Sequence, residues 1–316
     1  MNGTALQTTF KIRDYDLAAT LNSGQSFRWT WRNDGWESVV SRTFVRLRQV
    51  SDGIHAETVV SMHDWKWLAD YLQTNVHLPD VIATFPSDDP MRRAATACKG
   101  LRLLRQDPWE CLASFILSST KQIVQIRDIV ARLCRRFGTP VPAPPNHEEA
   151  HAFPHFSRLA SASESELREC KMGFRAPYLK HTAERLARGE VDLAQLHAMP
   201  VEAARAQLLS LPGVGRKIAD CVLLFAYGFQ EAFPVDVWIA RALQQLYFPR
   251  RQVSPKRLLQ FSRSHFGPNA GYAQQYLFHY MRVQAPKVPR IIRVRAAAKD
   301  HGGARRGVTP LSPLRA

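Results

Sequence analysis

The first part of the chain consists of short stretches in which apolar and polar residues alternate, and this pattern predicts β-strands. Two of them, "ESVVSRTFVRLRQV" (37–50) and "IHAETVV" (54–60), are also rich in β-branched residues. The segments that precede them, "RNDG" (32–35) and "SDG" (51–53), are typical of hairpin turns. We therefore predict that residues 1–88 form a mainly antiparallel β-sheet domain.

After "FPSDDP" (85–90) the apolar residues recur every three or four positions, as they do on one face of an α-helix. The clearest case is "IVQIRDIVARLCRRFG" (123–138), which ends in a glycine that favours a helix stop. The proline-rich "TPVPAPPN" (139–146) is predicted to be a loop between helices, because the helical pattern soon resumes. We predict an α+β fold in which a helical body spans residues 89–284. Residues 285–316, rich in Arg, Ala, Gly and Pro, are predicted to be a basic, disordered tail.

Composition adds a strong positive charge to this picture. The 316 residues include 43 Lys and Arg against 27 Asp and Glu, a formal net charge of +16, and 45% of them are hydrophobic, enough for a sizeable core. Residues 287–316 hold eight basic side chains against one aspartate, a net +7, which leaves +9 for the rest of the chain. A basic run alone is often only a solvated surface, but a basic body favours a polyanionic partner, most simply nucleic acid.

The cysteines and histidines give no sign of a metal or cofactor site. The five cysteines are scattered without a C-x-x-C pair, so we expect no disulfide framework and no cysteine metal or iron–sulfur site. His147, His151 and His155 are spaced by four, but Pro154 interrupts that segment and no acidic or cysteine partner has ligand spacing. We therefore predict surface histidines, no metal and no organic cofactor.

The distribution of apolar residues also predicts where the protein acts. The N-terminus lacks the apolar core of a signal peptide, and no stretch approaches the roughly 18 uncharged apolar residues of a membrane-spanning helix. Together with the unpaired cysteines, this predicts an intracellular protein without a membrane partner, in a bacterial cytoplasm or a eukaryotic nucleus.

The segment with the clearest chemistry is "LPGVGRKIADC" (211–221). Pro212 and Gly213 indicate a tight turn that Gly215 ends, and helical sequence lies on both sides of it. Glycines let backbone N–H groups approach a ligand closely, and the second helix directs its positive end the same way, so a phosphate is the natural ligand. A P-loop is excluded because a single residue separates the glycines and Ile218 follows the lysine. A plain turn followed by an exposed Lys217 remains the alternative.

A carboxylate follows this hairpin at a suggestive position. Asp236 lies nineteen residues after Lys217, at the start of the helix predicted in "EAFPVDVWIARAL" (231–243), where aspartate is a good N-cap. Two helices joined by a short loop could bring the lysine and the carboxylate together across a cleft, as an amine nucleophile with an anionic partner. A purely structural N-cap remains open, and the two roles are compatible.

These motifs resemble the helix-hairpin-helix DNA glycosylase superfamily, and within it the lysine-bearing branch of 8-oxoguanine DNA glycosylases. The residues that carry the resemblance are "LPGVGRK" and "FPVDVWIARAL". It covers roughly residues 10–282, because four further segments are similar in the same order: "SGQSFRW" (23–29), "DPWECLASFILSS" (107–119), "MGFRAPYL" (172–179) and "GPNAGYAQQYLF" (267–278).

The resemblance implies a bifunctional DNA glycosylase and abasic-site lyase of base excision repair. Lys217 would attack C1′ of a damaged deoxynucleoside, displace the base and form an imine with the opened sugar, after which β-elimination nicks the strand. An amine must be neutral to attack, so we expect Lys217 to be partly desolvated. Asp236 would offset the positive charge that develops on the sugar. The damaged base would have to leave the duplex to reach the lysine.

The resemblance also implies a pocket for 8-oxoguanine. The carbonyl of Gly24 would accept the N7 hydrogen that distinguishes this base from guanine, Phe278 and Cys221 would sandwich the ring, and Gln274 would read its Watson–Crick edge. Each residue has a structural alternative. Gly24 could be a turn glycine, Phe278 and Cys221 could be core residues, and Gln274 could be a surface amide.

The remaining residues implied by the resemblance would hold the DNA. Gly213, Val214 and Gly215 would bind a backbone phosphate, Arg175 would read the cytosine opposite the lesion, and Phe174 matches a wedge between bases.

The sequence departs from the family pattern at four positions. Thr120, Lys121 and Gln125 stand where the pattern has asparagines and a second cytosine-reading arginine, and Trp238 replaces a histidine near the DNA phosphate. We expect weaker preference for cytosine, because one bidentate base contact is worth about 1–3 kcal/mol.

Two other functions compete with this interpretation. A monofunctional glycosylase for alkylated bases shares the hairpin and the aspartate but uses water, and Lys217 disfavours it. A non-catalytic DNA-binding protein would use the hairpin only for phosphates and would leave the pairing of Lys217 with Asp236 unexplained. The favoured prediction is a monomer that acts on double-stranded DNA containing an oxidised purine and binds less tightly as salt rises.

Overall fold

The alternating N-terminal segments form one antiparallel sheet of five strands. The computed structural model describes residues 5–119, 121–145, 147 and 149–284. The strands of the sheet are β1 Ala5–Lys11, β2 Thr30–Arg32, β3 Gly35–Val40, β4 Thr43–Val50 and β5 Gly53–Met62. Their order across the sheet is β1-β5-β4-β3-β2, so consecutive strands from β2 to β5 are neighbours and β1 pairs with the last of them.

Tight turns with positive φ angles join the central strands. Asn33 and Asp34, with φ of 49° and 58°, connect β2 to β3, as the "RNDG" segment predicts. Ser41 and Arg42, with φ of 47° and 67°, connect β3 to β4. Two left-handed residues suit a two-residue hairpin because their twist matches that of the strands.

Two helices bury one face of this sheet. They are α1 Leu17–Asn22 and α2 Lys66–Leu72. Asp16 caps α1, since its Oδ1 accepts from the N–H of Ala19 at 2.8 Å. The core between sheet and helices includes Trp29, Leu47 and Leu68, all without exposed surface.

The other face of the sheet contacts the proline-rich segment. That segment is predicted as a loop, but it contains β6 Pro140–Val141, which pairs with β7 Ala150–His151 in a two-stranded sheet. Ala150 packs in a small cluster with Val39 and Phe44 of the large sheet. As a result β3 is buried along its whole length.

Helices make up the rest of the described chain, and the predicted α+β class is confirmed. Beyond α2 they are α3 Leu78–Ala83, α4 Asp89–Ala97, α5 Pro108–Ser118, α6 Ile123–Phe137, α7 Phe156–Ala160, α8 Glu164–Glu169, α9 Ala176–Ala187, α10 Val201–Leu209, α11 Arg216–Val222, α12 Val237–Tyr247, α13 Pro255–His265 and α14 Ala270–Gln284. Short 3₁₀ helices lie at Gly173–Arg175 and Leu196–Ala198, and a π-helical turn, Leu223–Tyr227, extends α11.

Helix α5 lies at the centre of the helical core. Asp107 caps it through a 2.8 Å hydrogen bond from the N–H of Glu110, and every residue from Cys111 to Ser118 is buried. The helix packs against α6, α9 and α11. Phe115 of α5 stacks on Phe225, with ring centroids 5.6 Å apart. This packing sets the position of α11, the helix that carries the lysine.

The prediction of three surface histidines is wrong for two of them. His151 is only 9% exposed, and the Nε2 of His147 lies 3.0 Å from a carboxylate oxygen of the buried Glu37. His155 is exposed and caps α7. Within the described ranges no cluster of three metal-binding side chains occurs. None of the helices in those ranges combines the length and the apolar character that a membrane span requires.

Candidate active site

The glycine hairpin lies between α10 and α11, as its sequence predicts. Gly213 has a φ of +76°, and a Cβ there would lie 2.8 Å from the Cβ of Tyr178, so both backbone conformation and close packing require glycine. Val214 is buried, whereas Gly213 and Gly215 are exposed. The hairpin is thus anchored by its valine and presents its glycine backbone to solvent.

Lys217, in the first turn of α11, reaches back to α5. Its Nζ donates a 3.2 Å hydrogen bond to Oγ of Ser118 and lies 4.9 Å from the centre of the Phe115 ring. The Ser118 hydroxyl itself donates to the carbonyl of Phe115 at 2.7 Å, so its lone pairs face the ammonium group. The lysine is half-buried. The alternative of an exposed lysine after a plain turn does not describe this position.

Asp236 is the N-cap of α12, as predicted. Its Oδ1 accepts from the N–H of Ile239 at 2.8 Å, which fixes the half-buried carboxylate. Among the described residues no carboxylate forms an ion pair with Lys217. Trp238, in the first turn of α12, is 36% exposed, and the guanidinium of Arg241 lies 5.7 Å from its ring centre.

Cys221 lies one helical turn after Lys217, and both Lys217 and Asp236 influence its pKa. Burial raises the pKa of Cys221 to about 12, the nearby Lys217 opposes that rise, and Asp236 adds to it. The thiol is therefore neutral near pH 7. Lys217 and Asp236 thus both act electrostatically on the same thiol.

Gly24 faces α14 and the start of α6. Its φ is +80°, and a Cβ there would lie 3.0 Å from Cδ1 of Ile123 and 3.2 Å from Cε1 of Phe278. The next residue, Gln25, is fully buried: its side chain donates to the carbonyl of Arg102 at 2.8 Å and accepts from a backbone N–H at 2.7 Å. These bonds hold the Gly24 backbone against Phe278. Both the positive φ and the close packing therefore require glycine at position 24.

Gln274 lies one turn before Phe278 on α14. It is 4% exposed, so the alternative of a surface amide is wrong. Its Oε1 is buried and has no hydrogen-bond partner among the described residues. A buried acceptor without a donor is costly unless a ligand supplies one. Phe278 is partly buried against the core and contacts Gly24, while Cys221 is a core residue.

Phe174 and Arg175 lie just before α9, the helix whose Tyr178 contacts the hairpin. Phe174 is 60% exposed, and the guanidinium of Arg175 lies 4.1 Å from its ring centre. Arg175 is buried, and burial lowers its pKa. Tyr178, which contacts Gly213, is 43% exposed. An exposed tyrosine thus stands beside the exposed Gly213, four residues after the exposed Phe174.

Two of the four residues that depart from the family pattern, Lys121 and Gln125, lie at the start of α6. Lys121 is half-buried, and Gln125 is exposed. The Oε1 of Gln125 accepts from the N–H of Gln122 at 3.0 Å, a capping bond that the sequence analysis missed. Thr120 lies outside the described residues.

Three side chains in this region were missed at the sequence level. They are Phe115 and Ser118, which contact the Lys217 amine, and Arg282, whose Cζ lies 5.6 Å from the ring centre of Phe278. Phe115 and Ser118 lie within a segment that carries the resemblance, but no spacing rule links them to Lys217. A cavity of about 190 Å³ between the sheet and α6, lined by Arg28, Glu37 and others, includes none of the predicted pocket residues.

Comparison with known families matches most of the chain. Residues 8–112 match the model of the 8-oxoguanine DNA glycosylase N-terminal domain. Residues 113–267 match that of the HhH-GPD superfamily of base excision DNA repair proteins. The boundary between the two matches falls within α5.

Individual relatives agree with these matches. A probable N-glycosylase/DNA lyase of Methanothermobacter thermautotrophicus is 34% identical, over 86% of this chain and 95% of the relative. An N-glycosylase/DNA lyase of Arabidopsis thaliana is 32% identical, over 83% and 76%. The structure is similar to that of the Clostridium acetobutylicum 8-oxoguanine glycosylase/lyase in complex with double-stranded DNA containing cytosine opposite 8-oxoguanine. The TM-score is 0.82 at 27% identity, over 90% of this chain and all of the other.

Proposed function

The chain belongs to the 8-oxoguanine DNA glycosylase/lyases of the helix-hairpin-helix superfamily, and from this premise we propose that Lys217 is its nucleophile. The enzyme removes 8-oxoguanine from double-stranded DNA and then cleaves the strand at the abasic site. The observation that carries the assignment is the position of the Lys217 amine, held by Ser118 over an aromatic face at the end of the hairpin.

In the proposed reaction the neutral amine of Lys217 attacks C1′ of the flipped nucleotide. The N–C1′ bond forms as the C1′–N9 bond breaks, and the base leaves with the electron pair and is protonated. Opening of the sugar ring gives an imine between Lys217 and C1′. Loss of a proton from C2′ then expels the 3′-phosphate by β-elimination, and water releases the lysine. The Ser118 hydroxyl orients the amine before attack.

Asp236 is proposed to stabilise the positive charge that develops on the sugar. Its Oδ1 is held by the Ile239 N–H, so the carboxylate cannot swing away and Oδ2 remains for the reacting nucleotide. A fixed negative charge in a partly desolvated site stabilises a cationic transition state without reorganisation. Capping and catalysis are therefore two uses of one carboxylate.

We assign the base pocket to Gly24, Gln274, Phe278 and Cys221. The unsatisfied Oε1 of Gln274 suits the N1–H and N2–H donors on the Watson–Crick edge of guanine. Phe278 offers a ring on which a purine can stack, and the neutral thiol of Cys221 suits the other side of the base. The Gly24 carbonyl would accept N7–H of the oxidised base.

The proposed DNA-binding surface is the exposed face around the hairpin. The backbone of Gly213 and Gly215 would bind a phosphate, with Val214 as its buried anchor. Phe174 would enter the base stack, and Arg175 would read the opposite base after leaving its buried position. Thr120, Lys121 and Gln125 would line the same gap, and the protein would act as a monomer.

Borohydride trapping tests the assignment. The purified protein is incubated with duplexes that carry 8-oxoguanine opposite each of the four bases, because only an imine is reduced to a stable protein–DNA adduct. Wild type should give an adduct that Lys217→Gln abolishes, and Asp236→Asn should slow its formation. Lys180→Gln is the matched control, since Lys180 is also partly buried but bonds to carbonyls of Ala160 and Ala162. An adduct that survives Lys217→Gln would refute the assignment.

A further inference from the structure

One cation at the proposed base pocket has no role in the reaction described above. Arg282 lies one helical turn after Phe278 on α14, and its guanidinium stands 5.6 Å from the centre of that ring. A Cβ placed on Gly24 would lie 3.3 Å from its Nη1. The guanidinium therefore lies close to both the glycine and the aromatic ring.

A hydrogen bond holds this guanidinium in place, and nearby charges act on it. Nη1 donates to the backbone carbonyl of Asn22 at 3.1 Å, and the side chain of Asn22 accepts from Arg127, also at 3.1 Å. Burial lowers the pKa of Arg282 and Arg127 lowers it further, whereas Asp236 opposes the shift. Arg282 thus lies in the electrostatic field of the proposed catalytic carboxylate as well as beside the pocket.

The guanidinium keeps most of its hydrogen-bonding capacity. An arginine has five N–H donors, and within the described ranges Asn22 is the hydrogen-bond acceptor that Arg282 uses. The side chain is only half-buried, so its other donors remain accessible. A planar fork of donors beside a stacking ring is suited to acceptor oxygens in the plane of a stacked base.

The edge of 8-oxoguanine that carries N7 presents such oxygens. O6 and O8 are both acceptors, and they flank the N7–H donor. Resting on the proposed function, we infer that Arg282 is a specificity-determining residue that donates to a keto oxygen of the flipped 8-oxoguanine. Gly24 and Arg282 then read neighbouring positions on one edge of the base, the first as an acceptor and the second as a donor.

The test separates recognition of the base from handling of the sugar. Arg282→Met keeps a long side chain without donors, and Arg282→Lys keeps the charge. Each is compared with wild type in single-turnover excision of 8-oxoguanine and in borohydride trapping at a preformed abasic site, where no base is present. Arg127→Met is the matched control, because it removes a neighbouring cation that also bonds to Asn22.

We expect Arg282→Met to slow excision about 10- to 100-fold, the range for a hydrogen bond to a charged group. Trapping at the abasic site should stay within about twofold, since the lost contact involves only the base. Arg282→Lys should recover part of the excision rate, and Arg127→Met should leave the ratio of the two rates unchanged.

Two results would overturn the inference. Equal losses on both substrates would indicate that Arg282 binds a phosphate or supports the fold, and no loss on either would show that it has no part in recognition. Failure of the proposed function would give a different result, because wild type itself would then form no borohydride-trapped adduct on either substrate.

Discussion

Replacing Gly24 by alanine tests the packing around the proposed pocket. At a φ of +80° an L-residue is strained by about 1–2 kcal/mol. The added methyl would also lie 3.0 Å from Ile123 and 3.2 Å from Phe278, closer than ordinary contact, and overpacking of this kind costs about 1–3 kcal/mol. We therefore expect the free energy of unfolding to fall by about 2–5 kcal/mol.

The same methyl should impair catalysis beyond its effect on stability. It would fill the space beside Phe278 in which the base is proposed to stack, so single-turnover excision of 8-oxoguanine should slow about 10- to 100-fold. Stability is measured by denaturant unfolding, and excision at a temperature where the variant is folded. Gly189→Ala is the matched control, because Gly189 has a φ of +73° but no atom within 4 Å of an added Cβ.

Gly189→Ala should lose only the free energy of unfolding that comes from backbone strain, about 1–2 kcal/mol, and should keep the wild-type excision rate. Equal losses of stability and of excision rate in the two alanine variants would contradict this prediction. In that case the contacts of the added methyl with Ile123 and Phe278 would contribute nothing to the change in the free energy of unfolding.

Three further predictions concern other contacts. Ser118→Ala should slow imine formation about tenfold in single-turnover trapping, because the amine loses its orienting hydrogen bond, whereas Ser114→Ala on the same buried helix should not. Arg205→Met should lower the free energy of unfolding by about 3–5 kcal/mol in denaturant titrations, because it leaves the buried carboxylate of Asp220 without its 2.7 Å partner. Glu202→Gln removes only the exposed partner of Arg205, so a loss for Arg205→Met smaller than the loss for Glu202→Gln would contradict this prediction. Burial alone would raise the pKa of Glu37, but hydrogen bonds from Arg46, His147 and Asn33 outweigh it and place the pKa below its ordinary value. Its ionised form therefore stabilises the fold above about pH 4.5. The difference in the free energy of unfolding between wild type and Glu37→Gln should shrink as the pH falls below that value. A difference that grows in acid would contradict the lowered pKa of Glu37.

Local signals in the sequence were sufficient for several elements. The "RNDG" turn was predictable because Asn and Asp tolerate positive φ, and the structure has 49° and 58° at Asn33 and Asp34. The turn at Ser41 and Arg42 has the same geometry but no such residues, so it was not predicted. Asp236 was identified as an N-cap because capping involves only the next few residues.

Contacts between distant parts of the chain were beyond local patterns. Lys217 and Ser118 are 99 positions apart, and only the packing of α11 on α5 brings them together. Arg282 meets Gly24 because α14 returns to the loop after α1. His151 was predicted at the surface because Pro154 interrupts its segment and no acidic or cysteine partner has ligand spacing, but the pairing of β6 with β7 buries it.

If Lys217 carries the covalent intermediate, the trapped DNA must be attached to its side chain, so the decisive measurement is to locate the adduct. Wild type is trapped with borohydride on a duplex containing 8-oxoguanine, the DNA is digested with nuclease and the protein with protease, and the modified peptide is identified by mass spectrometry. We expect the sugar remnant on the Nζ of Lys217. A remnant on another lysine or on the N-terminal amine, or the absence of any adduct, would contradict it.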